Sequence, residues 1–215
     1  MGKIRLLLNI GYYYMDEKKS DVEFGDEKDQ EEITIQTIIE MEKKDKEMRS
    51  PQYNYTSQEI LNNDREHLKK LKRYITVNGF DEISKNMQAY NAAWLIVQHI
   101  HIGDEEELSY MEEYLELLEV DLHKTEVQDQ TNKEEIINKK RKVAYLTDRL
   151  RLYKDEPQLY GTQFTFDSDG KTVVYKIEGI SDPYNLTAEE NRLLKERRKN
   201  MGFKKTFSEY RDSIN

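Results

Sequence analysis

The sequence predicts a mainly α-helical domain of about six helices with one β-hairpin in its C-terminal half. Three features predict it. From Ile33 to Tyr153, apolar residues recur at three- and four-residue steps, the spacing that lines one face of an α-helix. After Asp155-Glu156-Pro157 the period becomes two, in QLYGTQFTF and KTVVYKIEG, with Asp169-Gly170 between them as a hairpin turn. A helical pattern then returns behind Thr187 and Glu190, which have capping-box spacing.

Residues 16–31 are charge-dense with a single Phe, so residues 1–31 read as a loosely packed lead-in and 32–215 as one domain. The first helix carries Ile35, Ile38, Ile39, Met41 and Met48 and stops at Ser50-Pro51. The second opens at Thr56 or Ser57, where Thr56 and Glu59 form a capping box. It presents Leu61, Leu68, Leu71 and Ile75 and ends at Asn78-Gly79. The third, over about 86–101, is the most apolar. The fourth begins near Gly103-Asp104 with Leu108, Met111, Leu115, Leu118 and Leu122; this stripe of two heptads suits an internal packing seam better than a coiled-coil dimer. Residues 124–132 read as a loop. Thr131 and Glu134 open the fifth helix, which runs to about Tyr153, and the hairpin covers about 158–178. The sixth helix runs from Thr187 to Met201-Gly202.

Composition excludes several functions. Net charge is −9, which disfavours nucleic acid, whose binding needs basic side chains to displace phosphate counterions, and equally disfavours anionic membrane surfaces. With no cysteine, thiolate nucleophiles, disulfides and Cys-ligated zinc are ruled out. No stretch approaches the ~20 apolar residues that span a bilayer. The opening MGKIRLLLNIGYYYM is broken by Asn9, Gly11 and three tyrosines, so the cytoplasm is expected; export is the alternative if these residues are a degenerate signal. There is no Gly-rich phosphate loop and no G-x-S-x-G elbow, and no cofactor is expected. His99 and His101 with Asp104 and Glu105 suggest a metal cluster, but residues i and i+2 of a helix point apart, so no metal is expected unless the helix ends there. Asp167-Ser168-Asp169-Gly170 lacks the later Glu of a calcium loop and reads as a turn.

Polar residues set into apolar elements are the candidates for chemistry. In the third helix Ala89, Ala92, Ala93, Ile96, Val97 and Ile100 share one face, with Trp94 and Leu95 opposite; such a helix is buried. Asn91, Gln98 and His99 must then find partners, because an unpaired buried polar group costs roughly 1–3 kcal/mol. His99 is either a satisfied core histidine or an acid–base group facing a cavity. In the fifth helix Val143, Leu146, Leu150 and Tyr153 form the stripe, while Asp148 lies with Tyr145, Arg149 and Leu152 on a second covered face. Asp148 and Arg149 either pin neighbouring elements or serve a ligand, with Asp148 orienting His99 and Arg149 clamping an anion. In the hairpin Tyr160, Thr162, Phe164 and Phe166 alternate with Leu159, Gly161, Gln163 and Thr165; the aromatic set is expected on the helices, Gly161 at a close approach and Gln163 on the freer face. Arg197 and Arg198 fall in a cationic run at a helix C-terminus.

The segments NAAWLIVQH (91–99), AYLTDRLRLYKDEPQLYGTQF (144–164) and ERRKNMGF (196–203) resemble a bacterial family known as domain of unknown function 6624, over about residues 33–211. DKEMR (45–49) matches its D-x-x-x-R element, and L-T-D-R followed by Q-x-Y-G-T-Q is the most specific part. The resemblance implies that Asp45, Arg49, Gln98, His99, Asp148, Arg149, Gln158, Tyr160, Gly161, Thr162, Gln163 and Arg198 belong to one design. The chain departs from the pattern at 80–88, where FDEISKNMQ replaces a Trp-Pro-containing stretch. The resemblance implies no activity.

Two functions are therefore expected. One is an enzyme or binding protein for a small molecule or peptide, with His99 as acid or base, Asp148 as its orienter, Arg149 or Arg198 as anion clamp, and Tyr160 and Gln163 placing the ligand. The other is a non-catalytic interaction module in which these residues form a structural network. Both expect His99, Asp148, Arg149 and the Y-G-T-Q strand in a common recess.

Overall fold

The computed structural model describes residues 32–100, 105–128 and 130–214. Among the described residues, eight helices and one two-stranded antiparallel sheet follow in the order α1 (Ile35–Met48), α2 (Ser57–Asn78), α3 (Asp81–Ser84), α4 (Met87–Gln98), α5 (Glu105–Gln128), α6 (Lys133–Tyr153), β1 (Phe164–Phe166), β2 (Thr172–Val174), α7 (Ala188–Asn200) and α8 (Phe207–Asp212). The chain is mainly α-helical with a hairpin in its C-terminal half, as its periodicities predict. The lead-in, His101 and Asp104 lie outside the described residues.

Helix ends follow local chemistry. Thr34, Thr56, Thr187 and Thr206 each accept a hydrogen bond from the third residue of the helix behind them, and that residue's side chain returns the bond. Gly79 takes φ +79° after α2, a conformation that costs a glycine little. The apolar face of α4 is buried as expected: Ala89, Ala92, Ala93, Ile96, Val97 and Ile100 all join the main core with Ile38, Leu71, Met111, Leu118 and Leu146. A smaller cluster of Ile177, Leu194 and Phe207 binds the hairpin to α7 and α8.

Four expectations are corrected. Helix α4 stops at Gln98 rather than 101, so His99 is its C-cap. Helix α5 continues to Gln128 through most of the expected loop, because its polar end is held by α6: Glu126 pairs with Lys140 at 2.7 Å and Thr125 accepts from Lys139 at 2.9 Å. Asn132, not Thr131, caps α6. The strands hold only three residues each, in register Phe164–Val174, Thr165–Val173 and Phe166–Thr172, and Phe166 is exposed rather than packed on the helices.

Candidate functional site

Three polar arrangements surround the C-terminal half of α6 and the end of α4. The first explains the short strands. The Asp148 carboxylate is fully buried and accepts the backbone N–H groups of Leu159 at 2.7 Å, Tyr160 at 3.0 Å and Thr162 at 2.9 Å, and the Thr162 hydroxyl at 2.8 Å. Those donors therefore serve a loop, not a ladder. Burial raises the Asp148 pKa, and the hydrogen bonds from Thr162, Tyr160 and Leu159 only partly oppose it. Gln158 closes the same loop: its Oε1 accepts from Gln163 N–H at 2.7 Å and its Nε2 donates to the Gln163 carbonyl at 3.0 Å. Arg198, 2% exposed, donates to the Tyr160 carbonyl at 2.9 Å and is flanked by Phe203 and Tyr210, 4.5 and 5.0 Å from their ring centres. Gly161 has φ +64°, and a Cβ there would meet Phe207 at 2.8 Å, so its close approach is to a side chain of α8. The polar groups of Asp148, Gln158, Thr162 and Arg198 are thus taken up within the protein. Asp148 bonds this loop and not His99, and Arg198 donates to the carbonyls of Tyr160, Gly161 and Lys205.

The second arrangement is an ion network between α1, α2 and the end of α4. His99 Nδ1 lies 3.0 Å from Asp45 Oδ1, which also accepts from Arg49 Nε at 2.9 Å. Arg49 Nη2 reaches both oxygens of Asp64 at 2.7 Å. Burial raises the Asp45 pKa, but the bonds and charges of His99 and Arg49 outweigh it and the net direction is down. For Asp64 burial wins over Arg49 and the net direction is up. His99 Nε2 takes no partner among the described residues, and the side chain is 23% exposed. One donor atom from each of Asp45, Asp64 and His99 lies within 4.8 Å of the others, and the Arg49 guanidinium bridges the two carboxylates. Asp64 is the residue that sequence reasoning missed. It stands three after Leu61 and four before Leu68, on the buried stripe of α2, and a charge at that spacing was the available signal. Next to His99, Gln98 is buried, yet its Nε2 finds no acceptor among the described residues, contrary to the expectation that it would be paired.

The third arrangement is an open cavity of about 670 Å³, lined by Arg149, Leu152, Tyr153, Asp155, Glu156, Pro157, Gln163, Phe164, Tyr175 and Lys176. Arg149 forms no salt bridge among the described residues. Its Nε is buried without an acceptor, and its guanidinium carbon lies 5.2 Å from the Tyr153 ring centre. Burial pulls its pKa below the usual arginine value; Tyr153 works against this, and the charge of Arg49 adds to it. Lys139, a buried cation, shows the contrast: it holds Asp121 at 2.8 Å and Glu135 at 3.0 Å. Gln163 reaches the cavity while its Nε2 donates to the Tyr145 carbonyl at 3.2 Å.

The common recess is thus only partly formed. Arg149 and Gln163 line one cavity, Asp148 stands behind it in the loop framework, and His99 belongs to the adjoining ion network. Two links join that network to the cavity: the charge of Arg49 acts on Arg149, and the Tyr153 hydroxyl lies 3.4 Å from the Ile100 carbonyl. No helix among the described residues is long and apolar enough to cross a membrane. No protein-family model, curated protein or solved structure matches the chain.

Proposed function

We propose that this chain binds an anionic small molecule or peptide in the cavity beside Arg149, with the His99–Asp45 pair as the adjoining acid–base group. One observation carries the reading: a half-buried arginine, its Nε buried without an acceptor, lines a cavity, bonds Tyr153 and meets no carboxylate among the described residues. Partial burial of a charge with no counter-ion is costly, and an anionic partner would offset that cost. The fork of an arginine suits carboxylate or phosphate oxygens. Asp45 replaces Asp148 as the group that fixes the His99 ring, and Nε2 is left unbonded among the described residues.

The test is a thermal-shift panel of carboxylates, phosphates and short peptides on the full chain and on Arg149→Met. At least one anion raises the melting temperature of the parent chain and not of the variant. If no anion shifts the parent chain, the reading fails.

A second reading, a non-catalytic interaction module, is favoured by the structural use of Asp148. The two part at His99→Gln: an acid–base group is lost with little change in melting, whereas a framework residue lowers the melting temperature by several degrees.

A further inference from the structure

The cavity that holds Arg149 carries both signs of charge. Arg149 and Lys176 supply two cations, and Asp155 and Glu156 supply two anions. Tyr153, Phe164 and Tyr175 add aromatic surface to the lining. A dianion such as phosphate would meet repulsion from the two carboxylates; a ligand with one charge of each sign would not.

The carboxylate end is also built. Asp155 is the single non-glycine residue with positive φ, +58°, among the described residues. It sits just past the C-cap of α6, where its N–H donates to Leu152 at 3.1 Å and the Glu156 N–H donates to Arg151 at 2.8 Å, the paired closure that helices usually make with glycine. A carboxylate stands where glycine would carry no steric cost, its side chain has no partner among the described residues, and it lines the cavity. Glu156 is held only loosely, 3.6 Å from Arg151. The C-terminal end of the α6 dipole adds negative potential at the same place. An ammonium group fits there.

Spacing then sets the ligand's length. Arg149 stands four residues before the end of α6 at Tyr153, a rise of roughly 6 Å, and Asp155 lies two residues past that end. An extended chain spans ~3.5 Å per residue, so two or three residues cover that distance between ammonium and carboxylate. We propose that the cavity binds a di- or tripeptide with free termini, its carboxylate on Arg149 and its ammonium at Asp155 and Glu156, with an apolar side chain among the tyrosines and Phe164. This inference rests on the reading of the cavity as an anion site.

Calorimetric titration of the full chain tests it, with the tripeptide Ala-Ala-Phe, its C-terminal amide, its N-acetyl form, phenylpropionate and inorganic phosphate. Ala-Ala-Phe binds best. Amidation or Arg149→Met weakens it about tenfold or more, a charge-assisted pair being lost. Acetylation, or Asp155→Asn with Glu156→Gln, weakens it about three- to fivefold, as fits charges at a wet rim. Asn tolerates positive φ, so the double variant keeps the helix end. If phenylpropionate or phosphate binds as tightly as the tripeptide, or acetylation changes nothing, the peptide inference falls while the anion site stands. If no probe binds, both fall.

Discussion

His99 and Asp45 meet at 3.0 Å across 54 positions of sequence, imidazole Nδ1 against carboxylate Oδ1, at the junction of α4 with α1. The pair is held from behind, since Arg49 ties the same oxygen to Asp64 on α2. One carboxylate therefore fixes the ring's orientation and joins three helices.

Asp45→Asn tests that double role. Losing the charge acceptor for both His99 and Arg49 costs about 2 kcal/mol at neutral pH. The folded pKa of Asp45 lies below its ordinary value, because His99 and Arg49 outweigh burial. Its stabilisation is therefore complete above the unfolded value near 3.9 and is lost as pH falls through the folded value. Asp64 and Asp148 have raised pKa values and act in the opposite sense; the Asp148 contribution is common to parent and variant, whereas Asp64 feels the Asp45 charge and moves with it. Melting temperatures of the two proteins converge below about pH 4. A constant gap across pH 3–7 would contradict the assignment.

Much of the fold was legible because local chemistry agreed with tertiary packing. Thr56 with Glu59 and Thr187 with Glu190 mark helix starts, and the alanine-rich face of α4 is the core face. The end of α5 was not legible, since its stabilising partners Lys139 and Lys140 lie on another helix. Helix α3 is too short to show a period, and the Thr206–Glu209 box that starts α8 went unread. In the site, Arg149 and Gln163 were found from sequence and do share a cavity. Asp45 and Arg49 entered only through the family resemblance, although an i, i+4 acid–base pair is itself a helical signal. Of the two roles weighed for Asp148, its bonds fit the pin to the hairpin and not the orienter of His99; sequence shows that a buried carboxylate needs donors, not that backbone N–H groups supply them.

Asp148→Asn tests that loop. An amide offers one acceptor oxygen where the carboxylate's two serve four donors, leaving buried N–H groups unpaired at about 1–3 kcal/mol each. The variant loses about 3 kcal/mol or fails to fold, and amide exchange at Leu159, Tyr160 and Thr162 accelerates. Thr162→Val, which removes one of the four donors, costs about 1 kcal/mol. Equal losses from the two substitutions would count against Asp148 as the hub.

Gly161→Ala tests the packing of that loop on α8. Positive φ costs an alanine roughly 1–2 kcal/mol, and the new methyl would press on Phe207 and Ile177 at 2.8 and 2.9 Å. Together they lower stability by about 2–4 kcal/mol. Phe207→Leu in the same chain recovers part of that loss by freeing space, as read in urea unfolding midpoints; no recovery would place the strain in the backbone alone.

The half-buried guanidinium of Arg149, which meets no carboxylate among the described residues, is the centre of the account, and its melting behaviour tests it most directly. Arg149→Met keeps the aliphatic stem and removes a charge that has no carboxylate partner among the described residues. The melting temperature of the ligand-free chain should stay level or rise, while anion binding is lost. A fall of several degrees in the ligand-free chain would mean that Arg149 holds the fold together, and the cavity would lose its claim to be a site.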